Sequence, residues 1–188
     1  MCREQLPVWQ RFYAEHKDKG VEVLSVAVDV QGPDKVRPYA ETAGTAFPTV
    51  VDEDNLLSQL YGFKAVPNGL MVDEEGVLKH KVFGGFDLRK PETASLVEEW
   101  AKGQEAEAVG SAAAGGEHSQ AVILFHKGLR VYRKGLVKEG VARWRQAVAL
   151  EPDNYVIRKQ IWAVEHPEKF YEGDVDYDWQ REQMERGL

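Results

Sequence analysis

Helix-type and strand-type hydrophobic patterns alternate along the first 103 residues, and this alternation is the strongest constraint on the fold. Apolar residues recur at helical spacing over residues 7–19, 33–43, 55–61 and 91–102. Apolar or β-branched extended segments lie at 21–29, 47–52, 68–73 and 77–83, and residues 74–76 form a turn between the last two. This order predicts an α/β layer fold, in which helices cover a sheet.

The composition changes after residue 103. Residues 104–119 are small and polar with no apolar face, which is typical of a flexible linker. Residues 120–166 show helical patterns, and residues 167–188 are rich in acids and aromatic residues. We therefore expect a first domain over residues 1–103, a linker over 104–119, a helical module over 120–166 and an acidic aromatic tail over 167–188.

Charge and cysteine content exclude several classes of function. The net charge of −7 argues against a nucleic-acid partner, and no apolar run reaches the length of a membrane span. No signal-peptide pattern follows Met1, so the localisation stays open. The single cysteine forms no disulfide within the chain and builds no metal cluster. The five histidines show no ligand spacing, so we expect neither a metal nor another cofactor.

Three motifs in order carry a family resemblance. They are CREQLP at residues 2–7, FPTVVD at 47–52, and YGFKAVP at 61–67 followed by LMVD at 70–73 and Gly76. Together they resemble the TlpA/ResA-type thiol–disulfide oxidoreductases of the AhpC/TSA-redoxin superfamily, which have a thioredoxin-like fold. The resemblance covers residues 2–102 and implies a three-layer α/β domain that acts on protein thiols and disulfides.

The resemblance also implies site residues. Cys2 matches the second, resolving cysteine of the C-x-x-C site, and Pro7 matches the proline that kinks the first helix. Pro67 matches the cis-proline that faces the cysteines, and Val66 precedes it, so Val66 and Pro7 would shape the substrate groove. In such a site, a thiolate at the first cysteine attacks a substrate disulfide and the second cysteine resolves the mixed disulfide.

The sequence departs from the family pattern at three points. The position of the attacking cysteine lies before Met1, and Gln5 stands where the family often has glutamate. The central strand that leads into the motif is also missing, which would leave the strands at 21–29 and 68–73 facing a gap. We therefore expect an N-terminally shortened thioredoxin-like fold. The open alternatives are a strand donated by another chain, as in a dimer or strand exchange, and a rearranged sheet.

The second half resembles a single tetratricopeptide (TPR) repeat over residues 121–155. Small Gly128 and Ala147 would let two helices approach closely, Trp144 would fill the groove, and Pro152 would end the second helix. A third helix is expected from Tyr155 to Glu165. Residues 121–147 are basic and the tail is acidic, so we expect the tail to fold back across the basic helices. Its anchors would be Phe170, Tyr171, Tyr177 and Trp179. A groove for a protein partner is the alternative.

Two functions from different classes follow. The first is a thiol–disulfide oxidoreductase that is inactive as it stands, because Cys2 is the only cysteine. The second is a non-catalytic protein-binding or scaffold module with thioredoxin-like and TPR-like parts. A one-cysteine peroxiredoxin is a weaker third option. A cysteine three residues upstream of Cys2 would separate the first hypothesis from the second. Family relatives usually work outside the cytoplasm, so the parent protein of the first hypothesis would carry a signal or anchor upstream.

Overall fold

The computed structural model describes residues 2–103 and 119–187, which fall into two compact units, Met1–Glu117 and His118–Leu188. Residues 104–118 of the predicted linker lie outside the described residues. Ser119, the last residue of that predicted linker, caps the first helix of the second unit, because its hydroxyl accepts a hydrogen bond from the backbone N–H of Val122 at 3.2 Å.

The first unit contains four helices and four strands within its described residues. They are, in chain order, α1 (Cys2–His16), β1 (Ser25–Ala27), α2 (Pro33–Ala43), β2 (Thr49–Val51), α3 (Leu56–Tyr61), β3 (Gly69–Val72), β4 (Leu78–Val82) and α4 (Pro91–Ala101). A short 3₁₀ turn, Lys17–Lys19, follows α1. This is the predicted order of elements, and it forms a mixed helix and strand unit.

Two boundaries differ from the sequence prediction. Helix α1 begins at Cys2 and not at Pro7, because proline removes only one backbone donor and the helix continues around it. The strand predicted over residues 21–29 is reduced to Ser25–Ala27. Among the described residues, β1 pairs with β2 alone, and Pro48 and Asp52, which flank β2, also bond to Ser25 and Ala27.

The strands form two separate ladders. β1 and β2 run parallel, with Val26 opposite Val50, and β3 and β4 run antiparallel, with Leu70 opposite Lys81. Within the described residues, β1 and β3 are therefore each hydrogen-bonded to one neighbouring strand. They nevertheless share a core, because Val21 just before β1 and Met71 of β3 belong to the same buried cluster.

That cluster holds the first unit together. Its buried members come from α1, the segment before β1, β3, the segment after β4, and α4. They are Phe12, Val21, Met71, Phe86, Leu88, Leu96 and Val97. Burying a large apolar side chain contributes about 1.5–3 kcal/mol, so this cluster fixes α1 and α4 against the strands. Among the described residues, no helix has both the length and the apolarity needed to cross a membrane.

The second unit contains four described helices: α5 (Gln120–Tyr132), α6 (Val137–Leu150), α7 (Tyr155–Glu165) and α8 (Tyr177–Glu185). α5 and α6 approach closely at Gly128, where a Cβ atom would lie 2.6 Å from the Trp144 ring. Trp144 is fully buried, and its indole N–H donates to the carbonyl of Phe125 at 3.0 Å. The small glycine thus makes room for the largest side chain of the α5–α6 interface.

The tail differs from its predicted arrangement. Residues 177–185 form α8, and the aromatic anchors Phe170 and Trp179 pack with Trp162 of α7, not across the basic helices α5 and α6. Tyr177, also predicted as an anchor, is 40% exposed. Lys169 and Asp176, both within the tail, form an ion pair at 2.9 Å. Burial of the indole rings contributes more free energy than an ion pair that is exposed to solvent. Aromatic packing therefore determines where the tail lies.

Candidate functional site

Cys2 is the first residue of α1, and its side chain is exposed and not part of a disulfide. The first turn of a helix directs unpaired backbone N–H groups and the positive end of the helix dipole toward such a position, which favours an anion there. Arg3 anchors the same turn, because its guanidinium carbon lies 3.6 Å from the ring centroid of Tyr39 in α2.

The Val66–Pro67 peptide bond is cis, and both residues are half-buried. Asn68 holds the loop on either side of this bond. Its side-chain N–H donates to the carbonyl of Ala65 at 2.8 Å, and its side-chain oxygen accepts from the backbone N–H of Gly84 at 2.8 Å. One amide therefore ties the loop before β3 to the segment after β4.

The segment after β4 connects Pro67 to the helix that begins at Cys2. The backbone N–H of Phe86 donates to the carbonyl of Pro67 at 3.3 Å, and the Phe86 ring stacks on Trp9 of α1 with centroids 5.5 Å apart. Two residues later, the backbone N–H of Leu88 donates to the Oε1 atom of Gln5 at 3.4 Å. Gln5 lies one helical turn after Cys2, so the first turn of α1 and the Pro67 loop contact the same short segment.

A charged network reinforces this connection. The guanidinium of Arg89 donates to Asp87, with the Nη2–Oδ2 distance at 2.6 Å, and to the carboxylate of Glu4 in α1 at 3.0 Å. Asp87 is buried, and its hydrogen bond from Arg89 lowers the pKa of its carboxyl group. The same hydrogen bonds, first the ones that Arg89 donates to Asp87 and then the one that it donates to Glu4, raise the pKa of Arg89. The arginine thus links the first turn of α1 to the segment after β4.

Gln5 is 2% exposed, and its Nε2 atom has no hydrogen-bond partner among the described residues. Buried amide donors are nearly always paired, so this donor is an exception among the buried groups of the site. An amide does not titrate, so Gln5 carries no exchangeable charge next to the thiol. The role open to it is to hold the neighbouring backbone and not to transfer protons.

Two of the four predicted site residues, Val66 and Pro67, lie in the loop that this segment contacts, and Cys2 begins the helix whose first turn bonds to Leu88 and Arg89. Pro7 lies within α1 and is exposed, whereas Val66 and Pro67 are adjacent in the loop bonded to Phe86. Sequence reasoning missed Asn68, Asp87 and Arg89. An Asn directly after a proline is a recognisable turn signal. The Arg89–Glu4 pair joins residues far apart in the chain, and no local pattern shows it.

Residues 1–81 match the AhpC/TSA family. Together with the relatives below, this match supports a thioredoxin-like oxidoreductase domain in the first unit, as the motifs predict. Several thiol-disulfide oxidoreductases named ResA are similar to the chain. The protein from Halalkalibacterium halodurans is 28% identical over 100 residues, covering 53% of this chain and 52% of its own.

The ResA of Geobacillus thermodenitrificans is 31% identical over 84 residues, and that of Bacillus thuringiensis is 26% identical over 83 residues; each match covers 44% of this chain and 47% of the relative. The chain therefore spans about half the length of the curated relatives it matches. No solved structure matches it at a significant level.

Proposed function

We propose that the first unit carries the resolving half of a thiol–disulfide exchange site. Cys2 is the resolving thiol at the start of α1, and the Val66–Pro67 loop forms one wall of the groove for a substrate protein. This proposal rests on the segment after β4, which is hydrogen-bonded to both parts of the site. Phe86 bonds to Pro67, and Leu88 bonds to Gln5, which lies one turn after Cys2.

The chemistry requires a second cysteine. In the full reaction, the thiolate of a first cysteine attacks a substrate disulfide, forms a mixed disulfide and expels one substrate thiolate. The Cys2 thiolate then attacks the first cysteine's sulfur, expels the second substrate thiolate and leaves an enzyme disulfide. The substrate gains two electrons, which a dithiol reductant restores to the enzyme. With Cys2 as its single cysteine, the present chain does not complete this cycle.

The first cysteine, in this proposal, arrives on a strand that lies between β1 and β3. These two strands each have one hydrogen-bonded neighbour within the described residues, yet Val21 and Met71 beside them share one core. An unpaired buried backbone group costs about 1–3 kcal/mol, so an added strand would stabilise the unit strongly. Either a segment upstream of Met1 or a second chain could supply it.

An extended chain tests this proposal. A strand-forming segment that carries a cysteine three positions before Cys2 is joined to Met1. We expect this extended chain to catalyse the reduction of insulin disulfides by dithiothreitol, and either Cys→Ser variant to lose that activity. A folded extended chain with both cysteines and no activity would contradict the proposal. The mass and N-terminal sequence of the protein from its native host show whether such a segment exists there.

A second candidate function is a non-catalytic protein-binding module. The observation in its favour is a groove of about 660 Å³ within the second unit, lined by Val137, Lys138, Val141, Arg145, Val164, Glu165 and His166. The TPR-like spacing of Gly128 and Trp144 supports it further. Affinity capture from a host lysate distinguishes the two functions. A partner of the binding module is lost in Lys138→Glu and withstands dithiothreitol, whereas a partner held by thiol exchange is kept in Lys138→Glu and is released by dithiothreitol.

A further inference from the structure

Three potential metal ligands meet where the end of α1 packs on α4. They are Glu15 and His16 at the end of α1 and Glu98 in α4, and one ligand atom from each lies within 4.8 Å of the others. His16 is 4% exposed, and its Nε2 atom lies 3.4 Å from a carboxylate oxygen of Glu98. The cluster therefore combines one buried imidazole with two carboxylates from different helices.

The imidazole is held with one nitrogen directed at the carboxylate. His16 Nδ1 lies 2.9 Å from the carbonyl oxygen of Phe12, and a carbonyl only accepts, so Nδ1 carries the proton. The ring also stacks on Phe12, with centroids 4.2 Å apart. Nε2 then faces the carboxylate of Glu98 and is the ring nitrogen available to a metal ion. Histidines that bind metals almost always donate their other ring N–H to a carbonyl or carboxylate in this way.

We propose that His16, Glu15 and Glu98 bind a zinc ion, with a water molecule as the fourth ligand. Zinc takes imidazole nitrogen and carboxylate oxygen at about 2.0–2.2 Å in tetrahedral geometry. The imidazole is fixed by packing, whereas Glu15 is exposed and Glu98 is partly exposed, so the two carboxylates move the short distance that coordination needs. Two carboxylates and one neutral imidazole neutralise the doubly charged ion.

A simple ion pair between His16 and Glu98 does not explain why the carboxylate of Glu15 lies close to them. It leaves the Glu15 carboxylate beside a second carboxylate, and like charges at this separation repel. Lys102 compensates in part, with its Nζ 3.7 Å from Glu98, but this side chain is 61% exposed and free to leave. A divalent cation neutralises both carboxylates at once. The sequence shows no ligand spacing here because Glu98 lies far along the chain from Glu15 and His16.

The zinc would join the end of α1 to α4. α1 has 15 residues, so its two ends, and therefore Cys2 and His16, are about 20 Å apart. This separation makes the zinc site independent of thiol exchange, and either proposal can fail without the other.

Titration of the full chain with zinc chloride tests the inference. The Cys2→Ser variant serves as the parent protein, because a thiolate also binds zinc. Calorimetry should show one zinc ion per chain, and cobalt(II) in its place should give the visible absorption of tetrahedral coordination. Glu15→Gln and Glu98→Gln should each weaken binding at least tenfold. Glu99→Gln, which changes the exposed neighbour of Glu98, is the matched control and should bind as the parent does.

His16→Gln should abolish binding, and circular dichroism shows whether this buried substitution still folds. If the His16→Gln variant does not fold, the two glutamate variants still test the proposal. At zinc about 100 times its dissociation constant, the ratio of folded to unfolded protein should rise about 100-fold in the parent. Absence of binding in Cys2→Ser, or binding unchanged by Glu98→Gln, would overturn the proposal.

Discussion

The backbone N–H of Phe86 donates a hydrogen bond to the carbonyl oxygen of Pro67 at 3.3 Å. This bond holds the loop before β3 against the segment that follows β4. The Phe86 ring fills the space above Gly69 and stacks on Trp9 of α1. One aromatic residue therefore connects the Pro67 loop to the helix that begins at Cys2, and most predictions for the first unit depend on this connection.

Gly69→Ala should destabilise the first unit by about 1–3 kcal/mol, because the added Cβ would overlap the Phe86 ring. Val72→Ala in the same strand is the control, since Val72 is 45% exposed and should matter little. Urea unfolding followed by tryptophan fluorescence measures both. Equal midpoints for Gly69→Ala and the wild type would show that Phe86 does not pack as described.

Asp87→Asn should lower the free energy of unfolding at pH 7 by about 1 kcal/mol, since it removes a charge-assisted hydrogen bond to an arginine that solvent partly screens. Arg89 lowers the pKa of Asp87 in the folded state. That stabilisation is therefore present above the unfolded-state pKa of about 3.9 and is lost as pH falls through the folded-state pKa.

The difference between the wild type and Asp87→Asn should accordingly shrink as the pH falls below about 4. Urea unfolding at pH 7 and pH 3 measures it. The side chain of asparagine still accepts from the backbone N–H of Arg89, as Asp87 does at 3.0 Å, so the turn itself is kept. A difference that is the same at both pH values would contradict the assigned role of the charge.

The sequence motifs fall at two places that the segment after β4 contacts. The CREQLP run lies in the first turns of α1, although the periodicity predicted that this helix begins at residue 7, and the YGFKAVP run ends in the loop before β3. Neither run indicates Arg89 or Asp87, since their bonds to α1 depend on how the segment after β4 folds back. Long-range contacts of this kind leave no periodicity in the sequence.

Gly128→Ala should destabilise the second unit by about 1–3 kcal/mol, although alanine is the better helix former by about 1 kcal/mol. The new Cβ would press on the Trp144 ring, whose indole N–H bonds to Phe125. Lys127→Ala, at an exposed neighbouring position of α5, is the control for helix propensity. Stabilisation by Gly128→Ala would rule out the close approach of α5 and α6.

Asp176 has two functions in the tail, which two substitutions separate. Its carboxylate accepts from the backbone N–H of Trp179 at 2.8 Å as the N-cap of α8, and it pairs with Lys169 at 2.9 Å. The N–H of Trp179 first, and Lys169 second, lower the pKa of Asp176. Asp176→Asn keeps the cap and should leave α8 largely protected, whereas Asp176→Ala should expose its amides to hydrogen exchange. Equal exchange in the two variants would mean that the ion pair holds the tail.

The fold of the tail shows where sequence patterns stop being informative. Helix α5 and helix α6 follow from their periodicity, because each has a clear apolar face. The charge contrast between basic helices and acidic tail predicted the wrong contact surface. Exposed charges contribute little to the free energy of folding, so Trp162, Phe170 and Trp179 determine how the tail packs. The spacing of residues in the sequence does not predict how these three aromatic residues contact one another.

If Cys2 resolves a mixed disulfide, as proposed, its removal should trap that species. The extended chain, with its upstream cysteine, is mixed with a disulfide-bonded protein and quenched with acid for intact mass analysis. We expect the covalent complex to accumulate in Cys2→Ser and to be at least tenfold scarcer when Cys2 is present. Equal amounts of the complex with and without Cys2 would contradict it.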